Sequence, residues 1–299
     1  MNAAHPSDAR CDDPLMDEFD AFGIPTHRCV SYQELRGSGV SREQIRDALA
    51  LGLLRRARRD VYLSGDIPDV VFRAQRVGGR LDCVAALEAR GVFVHRRGQL
   101  HVQVEPHRAR LRSPHSRRKR LEADGATATI HWRSQSGDAH TVDVVSALVQ
   151  SFDCQEPRQI VATLDSALFL GEVDSDDVAQ IFSRVPHRYR SLRRLIDGRA
   201  ESGPESLARL QLRQFGRRIE LQKVIDGVGR VDILVDGWIV VECDSRAHHA
   251  GWQKQEEDRR RDLALAARGY ACVRPTANII LTEPHVLTDA VRGLLACRR

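Results

Sequence analysis

The hydrophobic positions of the last hundred residues follow two periods, one typical of strands and one typical of helices. β-Branched runs that favour strands occur in four segments: residues 219–225, 230–235, 238–241 and 270–274. Helical spacing occurs in three segments: residues 203–215, 253–268 and 284–294. The resulting order, helix, three strands, helix, strand and helix, predicts a mixed sheet flanked by helices over residues 201–299.

Acidic residues interrupt the second and third of these strands. The apolar run Trp238–Val241 is typical of a buried strand and leads directly into an acid. A carboxylate at the end of such a strand is costly to bury unless a cation, a donor or a metal meets it. Three acids therefore need a partner: Asp232, Glu242 and Asp244. Two histidines follow at once: His248 and His249.

The pattern near the other end of the chain predicts a winged helix over residues 29–66. Ser31–Glu34 and Ser41–Gln44 are capping boxes that each begin a helix, and Gly52 ends the second helix. Residues 53–63 then predict a basic hairpin. In such a module the second helix enters the major groove and the wing contacts phosphates.

This layout assigns roles to the polar side chains of the module. The base-contacting candidates lie on the second helix: Arg42, Gln44 and Arg46. The phosphate-contacting candidates lie in the wing: Arg55, Arg56, Arg58 and Arg59. The alternative is a small protein-interaction domain whose arginines are solvated.

Residues 67–200 predict a mixed α/β region followed by a helical region. Its expected helices cover residues 71–91, 141–152, 158–170, 175–183 and 189–196. Its expected strands cover residues 92–95, 100–104 and 128–132. The chain as a whole is therefore expected to be α/β in class, or α+β overall, with residues 1–28 forming a tail and a first helix.

Composition narrows the class of partner. A net charge of +5 and a pI near 9.0 favour a polyanionic partner, and the basic residues are almost all arginine, which suits bidentate phosphate contacts. Residues 107–120 hold seven basic residues and no acid, which indicates a phosphate-binding loop or a solvated connector. Seven cysteines without a C-x-x-C pair predict a reducing cytoplasm, and no apolar run is long enough for a membrane span. The acidic, polar N-terminus is not expected to be a signal peptide.

Two segments of the chain resemble known protein families. Residues 39–65, GVSREQIRDALALGLLRRARRDVYLSG, resemble the N-terminal domain of AbiEi-type antitoxins, the regulators of type IV toxin–antitoxin systems. Asp60 stands where that family usually has glycine. Residues 201–296 resemble the very-short-patch-repair-like branch of the PD-(D/E)XK nuclease superfamily. The second resemblance rests on Glu205, Asp232, Glu242-x-Asp244, His248-His249, Asp258-x-x-x-Asp262 and Arg274.

The nuclease resemblance implies phosphodiester hydrolysis with Mg²⁺ or Mn²⁺. It implies Asp232 and Glu242 as metal ligands, with the carbonyl of Cys243 as a further oxygen. It further implies that Glu205 orients a metal-bound water and that His248 or His249 acts as a base. Asp244 occupies the lysine position of the superfamily motif. Arg274 and the run Arg259–Arg261, with Arg260 at its centre, are implied as contacts to DNA phosphates.

The length of the turn between the second and third strands decides whether Asp232 and Glu242 can bind the same metal ion. A two-residue turn at Asp236-Gly237 would place Asp232 and Glu242 on opposite faces of the sheet, whereas a three-residue loop or a bulge would place them opposite each other. We predict the three-residue loop or the bulge.

Three functions remain open at this point. The first is a Mg²⁺-dependent DNA endonuclease, and the second is a non-catalytic DNA-binding regulator with a degenerate nuclease domain. The third is an interaction module in a defence system. DNA is the expected partner, and a homodimer and a toxin or defence-system partner stay open.

Overall fold

The computed structural model describes residues 29–124, 128–134, 136–243 and 252–297 of the protein. The chain divides into two compact units. The first unit extends to Asp82 and includes Gln99–Asp143, and the second comprises Cys83–Gly98 and Val144–Arg299. Helices and strands are mixed, with three small sheets among the described residues, so the expected α/β class is confirmed.

The first unit carries the elements predicted for residues 29–66. Its helices are α1 Tyr32–Gly37, α2 Arg42–Leu51 and α3 Asp69–Val77. Its strands are β1 Leu54–Arg58, β2 Val61–Ser64, β3 Arg80–Leu81, β4 Leu100–Val104 and β5 Ala128–Trp132. Both capping boxes form, because Ser31 and Ser41 accept hydrogen bonds from the third backbone N–H of their helices. Strands β1 and β2 pair antiparallel as a hairpin, so a helix-turn-helix followed by a wing-like hairpin is present.

The wing turn has a left-handed residue at its tip. Asp60 has a φ of +61°, a conformation that favours glycine, which is the residue usual at this position in the antitoxin family. Its Oδ1 accepts a hydrogen bond of 2.6 Å from the backbone N–H of Tyr32. The aspartate therefore joins the wing to the start of α1.

The second unit contains the helical region and the C-terminal sheet. Its helices are α4 Cys83–Ala89, α5 Val144–Ser151, α6 Pro157–Phe169, α7 Ser175–Arg184, α8 Gly203–Leu212, α9 Trp252–Ala267, α10 Ala277–Thr282 and α11 Pro284–Cys297. Its strands are β6 Ile219–Ile225, β7 Gly229–Val235, β8 Ile239–Val241 and β9 Ala271–Val273. A 3-10 helix covers His187–Leu195, and shorter ones cover Leu121–Asp124, in the first unit, and Arg213–Phe215.

The C-terminal sheet has the predicted mixed topology. Strands β6, β7 and β8 pair antiparallel, and β8 pairs parallel with β9. One face packs on α8, α10 and α11 through a core that includes Leu212, Ile233 and Val291. The other face packs on Leu265 of α9 through Val231 and Val240. Helices therefore cover both faces of the sheet.

Two predicted elements are wrong. The helix expected over residues 71–91 is interrupted after Val77. Gly78 caps the helix, and the chain then passes so close to β4 that a Cβ at Gly79 would lie 1.9 Å from the carbonyl oxygen of Gln103. The strand expected over residues 92–95 is absent from this described segment. The N–H of Val92 donates to the carbonyl of Leu87 at the end of α4, and the N–H of Phe93 donates to Ser166 Oγ at 2.9 Å. These N–H groups are therefore not available to a sheet.

Candidate functional site

The connection between β7 and β8 has three residues. Val235 pairs with Ile239, and Ile233 pairs with Val241, so Asp236, Gly237 and Trp238 form the loop. The predicted three-residue loop is confirmed. Continuing this register by one residue places Asp232 across from Glu242, on one face of the sheet.

Asp232 lies in an environment that disfavours its charge. Its Oδ2 accepts a hydrogen bond of 2.8 Å from the backbone N–H of Cys243. The pKa of Asp232 is raised to about 6, mainly by burial and also by the nearby charges of Glu205, Glu242 and Glu201, while this hydrogen bond opposes the rise. A carboxylate surrounded by other carboxylates binds either a proton or another cation.

Glu205 is the buried member of the cluster and lies in the first turn of α8. Its Oε2 accepts from the N–H of Glu201 at 3.0 Å and from Nε2 of Gln222 at 2.9 Å, and its Oε1 accepts from Ser202 Oγ at 2.8 Å. Burial raises the pKa of Glu205, and the charge of Glu201 adds to the increase, while the hydrogen bonds oppose it. Ser202 also caps the helix, so ordinary helix-start chemistry fixes the position of this carboxylate.

Glu242 has a cation beside it. Arg261 Nη2 on α9 donates to Glu242 Oε1 at 3.0 Å, and the same guanidinium donates to the backbone carbonyls of Arg230 and Val228. This arginine therefore connects α9, the β6–β7 turn and the acidic end of β8. The nuclease resemblance implies a contact of the run Arg259–Arg261 with DNA phosphates, which stays a prediction. The buried position of Arg261 follows instead from helical spacing, because Leu265 lies four residues further on the same buried face.

Gln222 and Cys243 complete the surroundings of the carboxylates. Gln222 lies inside β6 with a φ of +52°, a left-handed conformation that is strained for a residue with a Cβ. Its amide reaches Glu205 from this position. Burial raises the pKa of the Cys243 thiol well above its usual range, and the charges of Asp232 and Glu205 add to the effect. The thiol is therefore a neutral, inert group here.

Two arginines assigned to DNA by the resemblance have intramolecular partners. Arg274 donates to Asp262 through Nε at 2.9 Å and lies 3.6 Å from Asp258. Arg260 pairs with Glu256 at 2.6 Å on the exposed side of α9. Contact of either residue with DNA stays a prediction. The predicted Asp244, His248 and His249 lie outside the described residues.

The predicted base-contacting residues of α2 also have local partners. Arg42 Nε donates to the hydroxyl of Tyr32 at 3.0 Å, and Gln44 Oε1 accepts from the N–H of Ser41 as part of the capping box. Arg46 pairs with two acids of its own helix, at 3.1 and 3.2 Å, and its side chain is exposed.

The wing arginines pack against the rest of the first unit. The guanidinium of Arg55 lies 3.7 Å from the ring centroid of Phe72, and that of Arg56 lies 5.4 Å from the ring of Tyr62. Arg58 donates to the carbonyls of Val77 and Arg110, both at 3.0 Å. Arg59 is exposed. Three of these four side chains therefore stabilise the fold, whatever else they contact.

Cysteine and histidine side chains form two close pairs, one in each unit. In the first unit, His101 Nδ1 lies 3.0 Å from His131 Nε2, and both rings are buried. In the second unit, the thiols of Cys83 and Cys154 lie within 4.8 Å of each other. Nitrogen and sulfur donors of this kind could hold a metal ion, and they suit transition metals rather than Mg²⁺. Sequence spacing does not predict either pair, because the partners are far apart along the chain.

Comparison with models of known protein families finds no match to this chain, and comparison with curated proteins finds none either. The two family resemblances therefore depend on the motifs in the sequence alone. Among the helices of the described residues, none combines the length and the apolar character needed to cross a membrane.

Proposed function

We propose that the protein is a DNA endonuclease that hydrolyses phosphodiester bonds with Mg²⁺ or Mn²⁺. The observation that carries the proposal is the convergence of Asp232, Glu205 and Glu242: burial is the main cause that raises the pKa of Asp232 to about 6, and the charges of the two glutamates add to the rise. Like charges are held together in a fold at a cost in free energy, and a divalent cation reverses the sign of that interaction. Because the donors are carboxylate oxygens, a hard cation fits them better than zinc does.

The roles of the side chains follow from their positions. Asp232 and Glu242 would supply the ligand oxygens, since the register places Asp232, in the middle of β7, across from Glu242, which directly follows β8. Glu205 would accept a hydrogen bond from a water beside them, and its fixed contacts to Ser202 and Gln222 would hold it in place. A divalent cation bound there would polarise a phosphate and lower the pKa of an attacking water.

One observation favours a second candidate function, a DNA-binding regulator with a degenerate nuclease domain. Arg261 already neutralises Glu242 at 3.0 Å, so the cluster has a permanent cation of its own. The helix-turn-helix and hairpin of the first unit would then carry the function by binding DNA without cleavage.

Nicking of supercoiled plasmid DNA tests the proposal. The wild type should convert the plasmid to the open circular form with Mg²⁺ or Mn²⁺ and not with EDTA. Asp232→Asn and Glu242→Gln should each lower the rate at least about 100-fold, as expected for loss of a metal ligand. Glu256→Gln is the matched control, because this acid lies on α9 and, among the residues that the structure describes, its ion pair is with Arg260.

The outcomes separate the candidate functions. Cleavage that is equal in the wild type and in both variants would come from a contaminant and would reject the proposal. No cleavage with either ion, together with salt-sensitive DNA binding, would support the regulator. The absence of both cleavage and DNA binding would favour the third function, an interaction module in a defence system.

A further inference from the structure

The 3-10 helix at His187–Leu195 has a repeat of three in its sequence. Its residues are His-Arg-Tyr, Arg-Ser-Leu and Arg-Arg-Leu in order. Because a 3-10 helix has three residues per turn, the residues at the same position in each triplet form one row along the helix. The half-buried row is apolar, and the two outer rows are almost entirely basic. The apolar row consists of Tyr189, Leu192 and Leu195.

The apolar row fixes the helix to the second unit. Tyr189 packs edge-to-face on Phe152, with ring centroids 5.2 Å apart. The carbonyl of Leu195 accepts a hydrogen bond of 2.6 Å from Arg209 on α8, the helix that carries Glu205. The basic rows are thereby held on the outside of the same unit that contains the carboxylate cluster.

The basic rows line two adjoining clefts. The first, of about 440 Å³, lies between the 3-10 helix and α7, and its walls are Arg190, Arg193, Phe182, Ala179 and Ser183. The second, of about 430 Å³, shares Arg190 and includes Arg188, Arg194, His187 and Ser191. Clefts of this size are common in ligand sites.

The charge of these clefts has one sign. Between Ser183 and Ile196 the sequence has five arginines and a histidine but no acid. Within the described part of the chain, four exposed guanidiniums of the 3-10 helix form no ion pair with an acid: Arg188, Arg190, Arg193 and Arg194. Holding several like charges side by side is unfavourable without an anion, and planar guanidiniums suit phosphate geometry.

We infer that the arginine rows of His187–Leu195 bind the sugar–phosphate backbone of a nucleic acid strand. The two-row basic face fits a chain of phosphates better than a single anion. Ala179 and Phe182 give the strand an apolar contact next to the arginines that bind its phosphates. The inference shares DNA as ligand with the proposed endonuclease, but it requires no metal and no cleavage. This surface is separate from the arginines of α2 and the wing, which the sequence assigns to DNA.

Fluorescence anisotropy with a labelled DNA strand, alone and as a duplex, tests the inference. EDTA is present throughout, so a failure of metal-dependent cleavage cannot affect the result. The triple variant Arg190→Gln, Arg193→Gln, Arg194→Gln should weaken binding at least about tenfold, and the slope of log K against log[salt] should fall by about two to three units. The control changes three exposed arginines of the same unit and so has the same net charge: Arg158→Gln, Arg213→Gln and Arg292→Gln.

Arginine modification by phenylglyoxal gives a second readout that needs no variant. DNA should protect Arg190 and Arg193 from modification, and tryptic mass spectrometry measures this. Equal affinities of the two triple variants, or unprotected arginines in a protein that binds DNA, would overturn the inference. Loss of ATP binding in the first triple variant with unchanged DNA binding would assign the clefts to a free nucleotide and would also overturn it.

Discussion

Asp232 Oδ2 accepts a hydrogen bond of 2.8 Å from the backbone N–H of Cys243, at the point where β8 ends. This bond favours the ionised carboxylate, yet the pKa of Asp232 is raised to about 6 because burial and the nearby carboxylates outweigh it. The relationship matters for function, because a hydrogen bond fixes one oxygen while the other stays able to bind a cation. It also makes the stability of the metal-free protein depend on pH.

Asp232→Asn should stabilise the metal-free protein at pH 8. The folded pKa of Asp232 lies above the usual value of 3.8, so its contribution to stability is fully present below pH 4 and is lost as the pH rises through about 6. The asparagine carries no charge and can still accept from Cys243. The expected gain is about 1–3 kcal/mol at pH 8, allowing for partial exposure of the carboxyl group, and it should vanish near pH 4.

Urea unfolding in EDTA at pH 8 and at pH 4.5 measures this effect. Glu256→Gln, at an exposed position of α9, should show no comparable gain at pH 8. Equal stability of Asp232→Asn and the wild type at pH 8 would mean that neither burial nor the nearby carboxylates disfavour the charge of Asp232.

A divalent cation should stabilise the wild type through the same carboxylates. At a concentration ten times Kd the expected gain is about 1.4 kcal/mol, which corresponds to a rise in Tm of roughly 3–6 °C. Thermal unfolding with Mn²⁺ and with Mg²⁺ measures it. Asp232→Asn and Glu242→Gln should lose the rise, whereas Glu256→Gln should keep it. A rise of the same size in all four proteins would place the bound ion elsewhere.

The sequence predicts the acidic pair of the site but not its surroundings. β-Branched runs specify β7 and β8, and the number of residues between them decides which carboxylates face each other. By contrast, the left-handed φ of Gln222 depends on contacts with Glu205 from another element, and nothing in the local sequence indicates it. The position of Arg261 was derivable, because α9 must bury Leu265 and the same face then holds Arg261.

Predictions from local sequence patterns are wrong or incomplete where strand pairing or the helical period decides the structure. Residues 92–95 have the composition of a strand but bond to α4 and to Ser166 instead, and β-propensity does not specify a partner. Residues 189–196 were expected to be helical, and the structure has a 3-10 helix at His187–Leu195. A search for a period of three would have separated its apolar row from its basic rows.

The tip of the wing gives a prediction for the first unit. Asp60 combines a left-handed φ with a hydrogen bond to Tyr32 N–H, so glycine would relieve the strain and lose the bond, whereas alanine would keep the strain and lose the bond. Each effect is about 1 kcal/mol. Asp60→Gly should therefore have nearly wild-type stability, and Asp60→Ala should be less stable by about 1 kcal/mol, the contribution of the lost hydrogen bond. Hydrogen exchange at the amides of α1 and the wing measures the difference locally, and an alanine variant as stable as the glycine variant would contradict it.

Arg261→Gln should separate the structural role of this arginine from its electrostatic role. The guanidinium donates to Glu242 and to the carbonyls of Arg230 and Val228, so its loss should destabilise the metal-free protein by about 1–3 kcal/mol. The same change removes a positive charge from the carboxylate cluster, so Mn²⁺ should bind at least about threefold more tightly. Urea unfolding in EDTA measures the first effect, and isothermal titration with Mn²⁺ measures the second. Arg260→Gln is the matched control, because that neighbouring side chain is exposed and, within the described ranges, forms its ion pair with Glu256. Weaker Mn²⁺ binding in a folded Arg261→Gln variant would show that the arginine supports the cation site rather than competing with it.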